Sequence, residues 1–202
     1  PTGTTPVVVT ATDASGNQAT CTVTVTVNAT ENPGNLYPIA LSAQTLSGVA
    51  VGSLLPSISN GTLPGNFGWL TWVGSPNAVT LATSLTAPGD SFTYENPANA
   101  ADQVVSIGDW VQGIPVGPNS SNVQSALDTL KQLDIHVLVW DQPTGIGNNQ
   151  NQGNGNNQNQ NGGNGNNTTY RVVGFAKVRL ISYQLPGQNQ ITVRYLGAAC
   201  SP

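Results

Sequence analysis

Alternation with a period of two governs the first 27 residues and limits what they can become. From Ala19 to Val27 (ATCTVTVTV), Cys21, Val23, Val25 and Val27 fall on one side, and Thr20, Thr22, Thr24 and Thr26 on the other. Successive side chains of a strand point to opposite faces, so this is the pattern of a half-buried β-strand. Thr5 to Asp13 (TPVVVTATD) is a second strand pattern, and the polar stretch Ala14-Ser15-Gly16-Asn17-Gln18 reads as the turn between them. A two-stranded ribbon is only marginally stable in water. Something has to cover its valines and pair its edges. Val7, Val9, Cys21, Val23, Val25 and Val27 are therefore the candidate subunit-contact residues.

The 202 residues suffice for one good-sized domain with a small appendage, or for two small domains. Only 7% are charged, against about 25% in ordinary soluble domains. Gly, Asn, Thr, Ser, Gln and Pro supply the polarity instead, as in secreted, surface-exposed, all-β proteins. A net charge of −4 with five Lys and Arg residues gives no footprint for nucleic acid. The longest apolar runs fall well short of the ~20 residues a membrane span requires. The chain starts inside a strand-rich segment and reads as part of a longer precursor. Cys21 and Cys200 can pair in an oxidising compartment, within one subunit or between two, or remain two small unpaired hydrophobes.

Residues 28–36 (NATENPGNL) break the strand period and read as a linker. A second module runs from Tyr37 to the C-terminus, residues 37–202. Strand patterns within it include Phe67 to Val73, Ile135 to Trp140, Tyr170 to Tyr183 and Gln190 to Leu196, and Val104 to Val111 reads as a strand and turn in which Asp109 caps or turns the chain before Trp110. One helix is expected, capped by Ser120 or Ser121, with Val123, Ala126, Leu127, Leu130 and Leu133 at amphipathic spacing. Residues 145–167 form a Gly, Asn and Gln tract with nothing to bury, and its lack of Asp and Glu excludes calcium-binding glycine-rich repeats. The predicted fold is mainly β: an antiparallel sandwich-like domain with one short helix, preceded by a β-hairpin of immunoglobulin-like type.

Catalytic constellations are sparse. The only histidine, His136, lies in an apolar strand pattern and has no second ligand for a zinc set. No nucleophile-elbow sequence is present. Asp90 and Glu95 have the chemistry to flank a sugar or a calcium ion, but read better as solvated turn residues. Trp69, Trp72, Trp110 and Trp140 would be the residues to stack on a carbohydrate, with core packing the simpler assignment. Asn28, Asn60, Asn119, Asn166 and Asn167 fit the N-glycosylation pattern. The expectation is a protein that is not an enzyme, with no catalytic, cofactor-binding or metal-binding residues.

Pro6 to Asp13, Ala14-Ser15-Gly16-Asn17 and Ala19 to Val25 resemble the last two strands of the hyalin repeat (HYR), an immunoglobulin-like extracellular module. In that family the cysteine has a partner within the module, which here leaves Cys200 or another chain. Residues 37–197 are similar to the C-terminal domain of secreted, Tad-pilus-related (TadG-like) bacterial proteins. The resemblance rests on Tyr37-Pro38-Ile39-Ala40-Leu41, Pro64 to Leu70, Gly108-Asp109-Trp110 and Tyr170 to Ala176. It implies a surface or pilus-associated protein and brings no active-site residues. Three accounts of the opening strands compete: completion by an upstream segment, packing on their own chain, or insertion into a neighbouring copy by β-augmentation. The favoured expectation is the last, giving a structural subunit of an extracellular pilus-like filament on the bacterial surface. Such a subunit would be a homopolymer grown head-to-tail by strand donation. A surface adhesin or glycan-binding module is the alternative.

Overall fold

The computed structural model describes residues 3–27, 33–72, 76–97, 99–114, 120–144 and 168–199. The tract at 145–167 and most of the linker therefore lie outside the described residues. The chain divides into two compact units, Pro1–Thr30 and Glu31–Pro202, and is mainly β, with 48% strand and 15% helix.

The first unit is a hairpin of β1 (Gly3–Thr12) and β2 (Gln18–Val27), antiparallel and in unbroken register from Gly3↔Val27 to Thr12↔Gln18. Its turn is held by Asp13. The Asp13 carbonyl accepts from Gly16 N–H at 3.0 Å, and Asp13 N–H donates to Asn17 O at 2.9 Å. Gly16 has φ +85°, the left-handed position that completes a three-residue loop of this kind. The Asp13 carboxylate accepts from Ser15 N–H and Asn17 N–H at 2.9 Å and from the Asn17 side-chain amide at 2.8 Å. That amide bond, then the backbone donors, holds the carboxyl below its ordinary range.

The second unit is a coiled sheet ordered β4-β9-β8-β7-β3-β5, with β6 also on β8. Its strands are β3 (Leu36–Ser42), β4 (Leu54–Ser59), β5 (Phe67–Trp69), β6 (Trp110–Gln112), β7 (Asp134–Thr144), β8 (Thr169–Gln184) and β9 (Gln190–Ala198). Three helices, α1 (Ala43–Leu46), α2 (Ala78–Ser84) and α3 (Ser121–Leu130), complete it. β3 starts at Leu36, the last residue of the predicted linker, and every one of its residues is buried. It pairs parallel with β7, whereas the other ladders between the named strands are antiparallel.

Both faces of the sheet are covered, so β3 and β7 read as continuous apolar runs. One face carries Tyr37, Ile39, Leu41, Val137, Val178 and Val193 against Leu81 and Leu85 of the α2 segment and Val123, Leu127 and Leu130 of α3. The other carries Leu36, Leu138, Trp140, Tyr170 and Val172 against Leu70, Trp72, Tyr94, Val105 and Val111. β8 serves both cores because Trp140 pairs with Val172 while Val139 pairs with Gly174, which leaves Val173 as a bulge residue. Its alternation therefore switches: Tyr170 and Val172 face the second core, and Ala176, Val178 and Leu180 the first.

The sheet closes on itself at two places. Asn60, just after β4, bridges to Phe67 at the start of β5, with Gly61 N–H donating to Phe67 O at 2.9 Å. Beyond β5, Thr71 N–H donates to Gln112 O and Ile114 N–H to Trp69 O, tying β5 to the segment that follows β6. Tyr170 fills the space between these strands. A Cβ added at Gly68 would stand 2.5 Å from its ring, and one at Gly113 2.7 Å away.

Several details differ from the sequence reading. Three helices form rather than one. α2 is capped by Asn77, whose side chain accepts from Val79 and Thr80 N–H. α3 is capped by Ser120 and ends at Leu130, which leaves Leu133 exposed beyond its stripe. The Val104–Val111 strand shrinks to β6, because Asp109 accepts from Ser106 N–H at 2.7 Å and turns the chain there.

Gly68→Ala will lower stability by about 1–3 kcal/mol through overpacking against Tyr170. Gly174→Ala, where an added Cβ meets nothing within 4 Å, will stay within about 0.5 kcal/mol; thermal melts of the two variants test the contrast. In the hairpin, the Asp13 contribution is present above the unfolded-state carboxylate value and is lost as pH falls through its depressed folded-state value. An NMR titration will show the Asp13 carboxyl and the Ser15 and Asn17 amides moving together, below the range of a free aspartate.

Candidate functional site

The hairpin register puts Val7 opposite Val23 and Val9 opposite Cys21, with Ala11 and Ala19 continuing the row. Four of the predicted contact residues thus share one face. Val7 is 42%, Val9 54% and Val23 49% exposed, values that belong to surface polar residues rather than to a strand's inner face. Val25 and Val27 continue the row by register, opposite Thr5 and Gly3; their side chains lie outside the description. The other face is Thr10, Thr20, Thr22 and Thr24 with Val8.

The hairpin's edges follow from the turn. The Asp13–Asn17 bond makes that pair a hydrogen-bonded one, and such pairs alternate along an antiparallel ladder. Odd-numbered residues therefore bond within the hairpin, and even-numbered residues direct N–H and C=O outward. On β1 the outward row contains Pro6, which has no N–H, so proline stands where a strand tolerates it. On β2 the outward row is Gln18, Thr20, Thr22, Thr24 and Thr26, with neither proline nor charge.

Cys21 is exposed and has no disulfide partner among the described residues. Cys200 lies outside the described residues, as do Asn28, Asn119, Asn166 and Asn167. Asn60 is described: its side-chain amide donates to Phe67 O at 3.3 Å, and Thr62 of the same glycosylation pattern is buried. That acceptor amide is committed to closing the sheet.

In the second unit, the tryptophans are mostly core. Trp69, Trp72 and Trp140 are fully buried, and Trp110 is half-buried. Trp69 stacks edge-on against Phe67 and donates from Nε1 to Asn189 Oδ1 at 3.0 Å. Trp72, which a glycan platform would need at the surface, packs edge-on against Tyr94 instead. His136 is half-buried, and burial followed by the nearby Lys177 charge lowers its pKa, so it is neutral at pH 7. Its strand neighbour Asp134 receives Arg179 Nη2 at 2.5 Å and Lys177 Nζ at 3.5 Å. Burial opposes ionisation of Asp134, and the Arg179 bond and charge outweigh it.

Sequence reasoning missed a polar knot on the second core. Asn96 donates to Asp102 at 3.2 Å and also bonds to Asp109. Burial, reinforced by Asp102, raises the Asp109 pKa, and burial with both acids pushes the Tyr94 hydroxyl far above its ordinary value. Tyr170 is pushed up to about 12 by burial. The Tyr94 hydroxyl and the indole N–H groups of Trp72 and Trp140 have no hydrogen-bond partner among the described residues. A recess of about 250 Å³ beside the knot is lined by Thr71, Trp72, Glu95, Asn96 and Gln112. A shallow groove of about 400 Å³ lies between α2 and α3, lined by Ala82, Thr83, Thr86, Ser125 and Thr129. Among the described residues, Asp90 and Glu95 join no group of three acidic, His or Cys residues able to hold a metal. Among them, no helix is long and apolar enough to cross a membrane.

The assembled geometry thus singles out the hairpin: an exposed apolar face, one edge interrupted by proline and one uninterrupted. Comparison with curated proteins and with solved structures finds no match for the chain. A family model, the HYR domain, matches residues 1–27, and HYR domains are typically found in extracellular proteins. The strand pair is the HYR-matching part of the chain.

Proposed function

We propose that this chain is a structural subunit of an extracellular, pilus-like filament whose copies join through their N-terminal strands. The observation that carries the reading is the contrast between the two units. The second buries both faces of its sheet and ties β5 to its neighbours, whereas the hairpin presents Val7, Val9 and Val23 to solvent. An apolar face of this kind marks an interaction surface. The HYR match over these residues supports an extracellular setting, and the TadG-like motifs in residues 37–197 support a pilus-associated one. A head-to-tail form would use β4, the end strand of the sheet order, as its receiving edge, and Pro56 and the left-handed Ser57, φ +52°, interrupt that edge. Burial of Trp69, Trp72 and Trp140 leaves the adhesin reading only the half-buried Trp110 among the four tryptophans.

Electron microscopy of the purified chain at high concentration will show fibres, and deletion of residues 1–27 will abolish them. Monodisperse monomers from the intact chain would overturn the proposal.

A further inference from the structure

We infer that the receiving edge is β2 of a second copy: two hairpins pair edge to edge, β2 against β2, antiparallel about a two-fold axis through Thr22. The inference rests on the reading that N-terminal strands join copies, and it names the surface that does so.

Three observations select this edge. The β1 edge has a gap at Pro6, in the middle of its outward row. β4 is broken by Pro56 and Ser57, and β5 is already bonded beyond its outer side. Among the described edges, β2 alone offers an unbroken row, Gln18, Thr20, Thr22, Thr24 and Thr26, in a segment with no Pro, Gly or charge. Natural edges are normally blunted by one of those devices, and an edge that lacks them templates another strand.

Centring the pairing on Thr22 uses the whole row. Thr22 faces its own symmetry mate, Thr20 faces Thr24, and Gln18 faces Thr26, all as hydrogen-bonded pairs, for about ten main-chain bonds across the junction. Between them Cys21 faces Val23 and Ala19 faces Val25 as non-hydrogen-bonded pairs. The register keeps the parity of both strands, so the valine rows of the two hairpins lie on one face of a four-stranded sheet. That sheet has the minimum size for independent stability that a lone hairpin lacks. The contact is isologous and closes a pair; a filament then requires a second, different contact between copies.

Proline scanning of the full chain tests the edge. Thr22→Pro removes an outward N–H at the junction while leaving the hairpin's own ladder intact, as Pro6 does, and will weaken pairing about tenfold or more in analytical ultracentrifugation. Thr10→Pro makes the same change on the β1 edge and will leave association unchanged. A second measurement needs no proline. In a Cys200→Ser background, Val23→Cys sets a thiol opposite Cys21 of the other copy, with Cα atoms about 4.5 Å apart and within disulfide reach. Diamide, which takes two electrons and two protons from each thiol pair, will yield a covalent dimer; Thr24→Cys, on the opposite face, will not. Assembly that is lost on deleting residues 1–27 yet resists Thr22→Pro, or responds to Thr10→Pro instead, overturns this inference alone. Failure of Val23→Cys to cross-link an associated chain does the same. A chain that is monomeric at every concentration overturns this inference and the filament reading together.

Discussion

Sixteen residues of continuous strand in β8 are the element on which the second unit is assembled. One side of β8 is taken by β7 along most of its length, and the other is shared by β6 at one end and β9 at the other. Because strand side chains alternate strictly, such a strand would ordinarily give all its even residues to a single face. The extra residue Val173 breaks that parity, so the first half of β8 supplies Tyr170 and Val172 to one core and the second half supplies Val178 and Leu180 to the other. Both cores, the two closures of the sheet and the seat of the Tyr170 ring between Gly68 and Gly113 all inherit their geometry from this offset.

Legibility from sequence followed the range of the interactions concerned. The hairpin, β7, β8, β9 and α3 were visible because their patterns are local: alternation, an apolar run, a serine cap. The parallel pairing of β3 with β7 left no local trace, since residues almost a hundred positions apart in sequence meet there. α2 has its apolar residues at helical spacing, Ala78, Leu81, Ala82 and Leu85, but Val79, Thr80 and Thr83 are weak helix formers. Its helicity comes from the Asn77 cap and from packing against α3. In Val104–Val111 the turn at Asp109 was legible from its side-chain acceptor, while the strand before it was not formed because that acceptor takes Ser106 N–H. The exposed apolar face of the hairpin was readable as a set of residues, Val7, Val9, Cys21 and Val23. Which edge carries it was not, because that depends on which pairs of the ladder are hydrogen-bonded.

Low charge is matched by economical use of it. Lys131 pairs with Asp128 and Arg171 with Asp141, Lys177 and Arg179 share Asp134, and Arg194 donates to the Gly52 carbonyl at 2.8 Å. The remaining polar work falls to uncharged groups: Asn60 at a closure of the sheet, Asn77 and Ser120 at helix starts, Asn189 on the Trp69 indole. Hydrogen bonds between neutral groups are little affected by ionic screening, whereas exposed ion pairs weaken as salt rises. Most of this architecture is therefore indifferent to the salt of its surroundings.

Pro6 has a meaning beyond the edge it interrupts. A flat, repetitive strand such as TCTVTVTV offers its partner many near-equivalent alignments, two residues apart and one residue apart. A slip of one residue would rotate Pro6 inward, where the ladder needs an N–H that proline does not have, and would bring valines across to the threonine side. The proline thus acts as a key cut for one parity of alignment. It confines a segment of almost monotonous composition to alignments of one parity, and the turn held by Asp13 fixes which of these the hairpin uses.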